Sequence, residues 1–306
     1  MLTTHLTGSV DSPEDSTIEY PASSSHGRLQ IRTRCDGLTD RGRRRSNNED
    51  SFLIARLTKR LDVCRSSFEP PGSQREAREV AHLLVVADGL GGAAAGEQAS
   101  SLSIATVEDF VLNCFKWFLH FEPGEQDELI RELRQALERA DREVYRRAQA
   151  DRALAGMGTT LTMAYTVRGE LYLAHAGDSR AYLFRDGALR RITRDHSYAQ
   201  MLLDAGHLSP EDARLPGIRN VVTNVVGGPR EGVHAEIHKL SLEDGDALLL
   251  CTDGLSEPVD EPTIASLIAE HDDPSACCRA LLSRALDAGG PDNVSLILAR
   301  FGIARG

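Results

Sequence analysis

Four short apolar runs in the chain each present an acidic residue at one end. Leu83 to Ala87 runs into Asp88-Gly89-Leu90-Gly91-Gly92, and Ala247 to Cys251 runs into Thr252-Asp253-Gly254. Gly290-Pro291-Asp292-Asn293 precedes Val294 to Leu298, and Asn47-Asn48-Glu49-Asp50 precedes Ser51 to Ala55. Runs of this length, rich in Val and Leu and bounded by turn residues, read as strands, so each acid stands where a strand meets a loop. Any one of them is as well explained as a helix cap. Repetition of the arrangement points instead to a shared centre. Carboxylates gathered there repel one another unless hard divalent cations, which favour oxygen ligands, lie among them. The glycines after Asp88 suit a close approach of backbone, since glycine has no Cβ and tolerates positive φ.

A basic cluster abuts one of these edges: Arg41-Gly42-Arg43-Arg44-Arg45 directly precedes the Ser46 to Asp50 stretch. A solvated turn with internal ion pairs is the plain reading. Beside a metal-binding edge, however, a guanidinium fork matches the geometry of a phosphate oxyanion. Nucleotide-loop chemistry is excluded, because Gly89-Leu90-Gly91-Gly92 lacks the third glycine of the dinucleotide fingerprint and no Gly-Lys-Ser/Thr follows.

The chain is long enough, at 306 residues, to bury a substantial core in one domain. A net charge of -11 argues against nucleic acid or an anionic membrane as the main partner. Six cysteines show neither zinc spacing nor a disulfide framework, the pattern of a reducing cytosol. No apolar run reaches the length of a transmembrane helix, and the acidic start of the chain is not a secretory leader. Residues 1–27, rich in Ser, Thr, Pro and Asp, read as a disordered extension ahead of one domain at 28–303.

Leu29 to Cys35 alternates as a strand. Residues 59–80 read as a surface insertion with a short helix at Arg75 to Glu79. Two long amphipathic helices are expected from Ala93 to Phe118 and from Glu125 to Asp151, separated by Pro123-Gly124. Thr159 to Val167, Leu171 to Ala176 and Arg180 to Phe184 read as a three-stranded antiparallel meander, with Gly177-Asp178-Ser179 as its second turn. The segment 195–230 holds one helix-like piece, Tyr198 to Ala205, amid turn residues, which suits a flap. Strands follow at Val233 to Leu240 and Asp246 to Cys251, then helices at Thr263 to Glu270 and Pro274 to Asp287. Helices in consecutive pairs, not alternating with strands, indicate an α+β fold of antiparallel sheets flanked by helix layers.

In order, Arg45-x-x-Asn48-Glu49-Asp50, Asp88-Gly89-x-Gly91-Gly92, Gly156-Met157-Gly158-Thr159-Thr160, Gly177-Asp178-Ser179-Arg180, Asp195-His196-Ser197, Thr252-Asp253-Gly254-Leu255 and Gly290-x-Asp292-Asn293 resemble the motifs of the metal-dependent serine/threonine phosphatases of the protein phosphatase 2C family, bacterial type. The resemblance runs from about residue 29 to 301. It implies a four-layer αββα sandwich, two antiparallel sheets flanked by helix pairs, with two Mn²⁺ or Mg²⁺ ions at one end and a third, weaker one in bacterial members. By motif, Asp88 would bridge two ions, Glu49 and the Gly89 carbonyl would bind one, and Asp253 and Asp292 the other. Asp50 would hold metal-bound water or join the metal shell, Asp178 with Asp253 would hold the third ion, and Arg45 the phosphoryl group.

The resemblance also implies hydrolysis of phosphoserine and phosphothreonine by a metal-activated water. It makes phosphorylated proteins the substrates and a serine/threonine kinase the opposing partner of a monomeric, cytoplasmic enzyme. No Cys or Ser is placed with a partner base, so a covalent route is not indicated. Leu90 stands where animal relatives carry a histidine proposed to protonate the leaving group. His196 is the substitute to weigh, against the plainer reading of a structural histidine in a turn. A basic residue usual in the flap is replaced near Asn224. The rival class is a non-catalytic phosphoprotein-binding scaffold on the same fold. An unrelated metal-dependent hydrolase would leave Arg45 and the Gly156 to Thr160 motif unexplained.

Overall fold

Residues Leu83 to Ala87 are buried on both faces, and their alternation fixes the layering. Leu83, Val85 and Ala87 pack with Leu129, Leu133 and Leu137, whereas Leu84 and Val86 pack with Leu248, Leu250, Ile297 and Phe301. A strand with two apolar faces has to be covered on both sides. The computed structural model describes residues 18–19, 29–62, 65, 67, 74–113, 126–209, 212, 218 and 221–305.

In chain order the strands are β1 (Ile18–Glu19), β2 (Leu29–Asp40), β3 (Ser51–Asp62), β4 (Gln74–Ala87), β5 (Gly89–Leu90), β6 (Gly158–Thr159), β7 (Leu161–Val167), β8 (Glu170–Ala176), β9 (Arg180–Arg185), β10 (Ala188–Arg191), β11 (Val226–Gly227), β12 (Glu236–Ser241), β13 (Ala247–Cys251) and β14 (Val294–Arg305). The helices are α1 (Ala93–Asn113), α2 (Gln126–Ala150), α3 (Tyr198–Asp204), α4 (Asp253–Ser256), α5 (Glu261–Glu270) and α6 (Pro274–Asp287).

One sheet has the order β1-β12-β8-β7-β4-β3, a second β10-β9-β13-β14-β2, and a small third β11-β6-β5. Every pairing except β1 with β12 is antiparallel. The helices α1 and α2 cover the outer face of the first sheet. On the second sheet, Leu249, Cys251, Leu296 and Leu298 turn outward onto Ile264, Ile268, Cys277 and Leu281 of α5 and α6. The result is the expected αββα order. Both outer helices of the second pair begin alike, with Asp260 and Asp273 accepting from the N–H of Thr263 and Ala276 and proline in the first turn.

The structure departs from the sequence reading at two places. The meander expected from Thr159 does not form: β7 and β8 are a hairpin, but β9 crosses to the second sheet and pairs with β13 and β10. The reason lies in burial, because β8 is already flanked by β7 and β12 while β9 has two apolar faces that only the second sheet satisfies. Gly177-Asp178-Ser179 is therefore a crossing between sheets. Arg75 to Glu79 is not helical but belongs to β4, with Leu61 opposite Arg75 and Arg60 opposite Glu76. Pairing with β3 overrides the local helix propensity there. Ala188–Arg191, to which the sequence reading assigns no element, is a strand paired with β9. Of residues 1–27, Ile18 and Glu19 pair with His238 and Lys239, and the rest lie outside the described residues.

Asp141 of α2, 2% exposed, links the helix layer to the chain leading into β12. It accepts from the backbone N–H of Gly227 at 2.6 Å, Gly232 at 2.7 Å and Val233 at 3.2 Å. Asp141→Ala strands these donors and is expected to cost about 3 kcal/mol. The check is a lower urea midpoint with an unchanged m value.

Candidate functional site

The acid-bearing strand ends meet at a cleft of about 210 Å³ lined by Arg45, Glu49, Asp88, Gly89, Leu90, Asp178, Val222, Asp253 and Asp292, among others. Asp88 is delivered at the end of β4, and its backbone is clamped. Its N–H donates to Thr160 Oγ1 at 2.9 Å, and its carbonyl accepts from Thr160 N at 2.9 Å and Thr159 Oγ1 at 2.8 Å. This gives the Gly156 to Thr160 motif its physical role. Thr160 Oγ1 also meets Ser179 Oγ at 2.8 Å, so the crossing that carries Asp178 is tied to the same point.

Glycine is required where the loops close. A Cβ on Gly89 would lie 2.2 Å from the Gly96 carbonyl oxygen, and one on Gly96 would lie 2.0 Å from Glu49 Oε2. The Glu49 carboxylate thus rests against the first turn of α1, the positive end of that helix. On the other sheet, a Cβ on Gly254 would lie 1.8 Å from the Asn293 carbonyl oxygen, so the turns bearing Asp253 and Asp292 pack backbone to backbone.

Two polar residues without an assigned role in the sequence reading organise the rest. Asn293 Oδ1 accepts from Glu49 N at 2.8 Å, while its Nδ2 donates to the carbonyls of Arg41 at 2.9 Å and Asn47 at 2.8 Å. Thr252 Oγ1 accepts from Ser295 N at 2.9 Å and donates to Asp50 Oδ2 at 2.8 Å. Both sit inside the motifs quoted above, and an Asn or Thr beside a site acid was the available signal. Asp50 itself is buried beneath the cleft and does not line it.

The electrostatics are those of crowded acids. Asp88 and Asp253 open partly to the cleft but are otherwise surrounded by protein. Burial and then repulsion from Asp50, Asp253, Asp178 and Asp292 push Asp88 well above the usual carboxylate range. Burial and the neighbouring acids do the same to Asp253. Burial raises Asp50 to about 7 against the hydrogen bond from Thr252, and raises Asp178 to about 6. Oδ1 of Asp50 and Oδ1 of Asp253 are buried with no hydrogen-bond partner among the described residues.

Unpartnered oxygens in an excess of acid are what a hard cation relieves. Glu49, Asp88, the Gly89 carbonyl, Asp178, Asp253 and Asp292 are the groups that could hold one. Among the described residues no three of them close on one point as a finished ligand shell. They line the cleft, each on its own backbone clamp.

The cationic side chain in the cleft lining, Arg45, pairs with Asp292 Oδ2 at 2.6 Å, with the two side chains 53% and 28% exposed. A pair this open contributes at most about 1 kcal/mol, so the guanidinium is readily drawn to an incoming anion. His196 does not line the cleft. Its Nδ1 accepts from Gly177 N at 3.2 Å and Asn224 Nδ2 at 2.9 Å, and its Nε2 faces Glu236 Oε2 at 3.1 Å. The flap begins and ends there: Ser197 pairs with Val222, and Tyr198 N donates to the Val221 carbonyl at 2.8 Å.

The profile of the protein phosphatase 2C family matches residues 73–285, and the chain belongs to that family. It is 34% identical over 272 residues to the serine/threonine protein phosphatase PstP of Mycobacterium tuberculosis, covering 89% of this chain and 46% of that one. The chain thus spans about half the length of these mycobacterial relatives. It is 29% identical over 260 residues to the serine/threonine phosphatase stp of Listeria monocytogenes, covering 85% and 92%. The crystal structure of M. tuberculosis PstP/Ppp superposes with a TM-score of 0.69 at 34% identity, over 88% of this chain and 98% of that one. The PstP catalytic domain in complex with two manganese ions superposes with a TM-score of 0.69 at 32% identity, over 89% and 100%.

A carboxylate raised in the folded state holds its proton more tightly there than in the unfolded chain, so its contribution is lost as pH rises through the folded pKa. In chelator the melting temperature is expected to fall as pH rises from about 5 to about 8, the window set by Asp178 and Asp50. Asp253→Asn, which removes one of the repelling charges, should flatten that slope and melt higher than the wild type at the upper end. Parallel slopes for the two proteins, measured by calorimetry, would show that the acids do not interact.

Proposed function

We propose that the chain is a metal-dependent protein phosphatase that hydrolyses phosphoserine and phosphothreonine in other proteins and opposes a serine/threonine kinase. The observation that carries this reading is the excess of enclosed, oxygen-only donors on one cleft with Arg45 at its mouth. Family membership supports it, as do the serine/threonine phosphatase names of the relatives and the two manganese ions of the PstP structure.

Glu49, Asp88 and the Gly89 carbonyl would hold one Mn²⁺ or Mg²⁺, and Asp88, Asp253 and Asp292 a second. Asp178 with Asp253 offers a weaker third position, and Asp50 braces the shell from below. Bound there, the ions supply neutralisation of the acids and an acidified water for in-line displacement at phosphorus. Arg45 binds the non-bridging phosphoryl oxygens and stabilises their charge as the bond to the leaving oxygen breaks. Leu90 and Val222 wall the cleft with apolar surface and offer no proton. Among the described residues a thiol nucleophile is disfavoured, because burial raises Cys35 and pushes Cys277 to about 11 and Cys251 and Cys278 to about 12.

The test is hydrolysis of p-nitrophenyl phosphate and a phosphothreonine peptide by chelator-stripped protein, with and without Mn²⁺ or Mg²⁺, together with its melting temperature. Activity should appear only with metal, and the metal should raise the melting point most at alkaline pH. Asp88→Asn and Asp253→Asn should each lose at least about 10² in kcat/KM while keeping the native circular dichroism spectrum. Arg45→Ala should lower kcat/KM by about 10². A folded, metal-binding protein with no hydrolysis would make the chain a phosphoprotein-binding scaffold instead.

A further inference from the structure

The two ends of the cleft differ in charge. Arg41, Arg43, Arg44 and Arg45 place four guanidinium groups within five positions of a chain whose net charge is -11, and all four residues are exposed. Three have local partners. Arg41 Nη1 reaches the Ser46 carbonyl at 3.4 Å, Arg43 Nε donates to the Leu286 carbonyl at 3.0 Å, and Arg45 pairs with Asp292. Arg44 has no partner among the described residues. Like charges packed on one loop repel, and Arg44 forms no ion pair with a described acid.

The loop is nevertheless held in place. Asn293 grips the carbonyls of Arg41 and Asn47, Arg43 N donates to the Gly290 carbonyl at 2.9 Å, and the Arg43 side chain caps a last-turn carbonyl of α6. A rigid loop that presents an unrelieved charge has already met the ordering cost of binding. At the other end, a second cavity of about 610 Å³ shares Asp178 and Asp253 with the cleft; Glu257, Asp260 and Glu261 outnumber its one arginine not paired within the lining, Arg284, since Arg180 and Arg191 pair with Asp195 there. Arg45 and Asp292 border only the first. A peptide lying across the cleft therefore meets positive charge on one side and negative charge on the other.

We propose that the Arg41 to Arg44 loop is an accessory anion subsite that takes a second negative group of the phosphoprotein, close in sequence to the residue being hydrolysed. The inference rests on the phosphatase reading of the adjacent cleft. Arg44 is the immediate neighbour of Arg45, and an extended peptide advances about 3.3 Å per residue, so the second anion lies within about three positions of the first. A guanidinium fork accepts either a phosphate or a carboxylate. The phosphate, with nearly two charges and three acceptor oxygens, is the stronger ligand.

Three phosphothreonine peptides of one length decide the matter: one with neutral flanks, one with a second phosphothreonine two residues away, and one with Glu at that place. The wild type should favour the second peptide over the first by about tenfold in kcat/KM at low salt, and the preference should shrink as salt screens it. Arg44→Gln should bring the ratio towards unity, and Arg44→Glu should invert it. A preference for the Glu peptide as well identifies general anion recognition, and its absence identifies phosphate as the ligand. Equal kcat/KM for all three peptides, or a preference that Arg44→Glu leaves unchanged, overturns the subsite. Should the wild type hydrolyse nothing, p-nitrophenyl phosphate included, the phosphatase reading falls by itself. Fluorescence anisotropy of the same peptides in chelator then judges the subsite, which stands only if the doubly charged peptides bind more tightly and Arg44→Glu removes the difference.

Discussion

The structure depends on holding together carboxylates that repel one another. Two unit charges about 4 Å apart at an effective dielectric of 20 oppose each other by about 4 kcal/mol, whereas a hydrogen bond contributes a net of about 1 kcal/mol. The clamps on Asp88 and Asp50 therefore do not win by themselves. What wins is the apolar burial behind them, at about 1.5–3 kcal/mol for each large side chain. Asp88 ends a strand whose alternate residues fill two separate cores, and Asp253 follows β13, which does the same. Neither acid can retreat from its neighbours without pulling a strand out of register. The sandwich supplies the force, and the hydrogen bonds supply the aim.

That division explains which features were legible from residues alone. Asp88, Asp253 and Asp292 stood out because each interrupts an apolar run with an acid and a glycine or turn, and such a break has few bland explanations when it recurs. The helix layers were legible through spacing, since Leu129, Leu133, Leu137 and Val144 share one face of α2 and all are buried. The crossing at Gly177-Asp178-Ser179 was not legible, because a tight turn looks the same whether the next strand joins the same sheet or the facing one. Only the two-faced burial of β9, a property of the whole sandwich, decides it. Arg75 to Glu79 failed for a related reason, its local helix propensity yielding to a partner strand.

Asn293, Thr160 and Thr252 form a third class. They carry no periodic signal and bind no ligand in any reading, yet between them they fix Glu49, Asp88 and Asp50. Each side chain ties its own segment to one far away in sequence, as when Asn293, in the turn before β14, holds the loop of Arg41 to Glu49. Their value lies in long-range geometry, which a sequence motif records without explaining. The same loop carries Arg45 to the edge of the cleft, so the clamp that places Glu49 also sets where positive charge borders it.

His196 shows how such geometry settles a choice that residue type leaves open. Gly177 N–H can only donate, so Nδ1 must accept, and the ring proton lies on Nε2 towards Glu236. Burial raises the Glu236 carboxyl, but hydrogen bonds from His196 and His238 outweigh it and hold the group below the usual range. With both nitrogens engaged and the ring outside the cleft lining, His196 has nothing to give a leaving group. Its contacts join the residue before Asp178, the entry of the flap and, through Asn224, its return. The base of the flap therefore cannot shift without disturbing the crossing that presents Asp178. The imidazole's contribution is to make flap position and site geometry one mechanical unit.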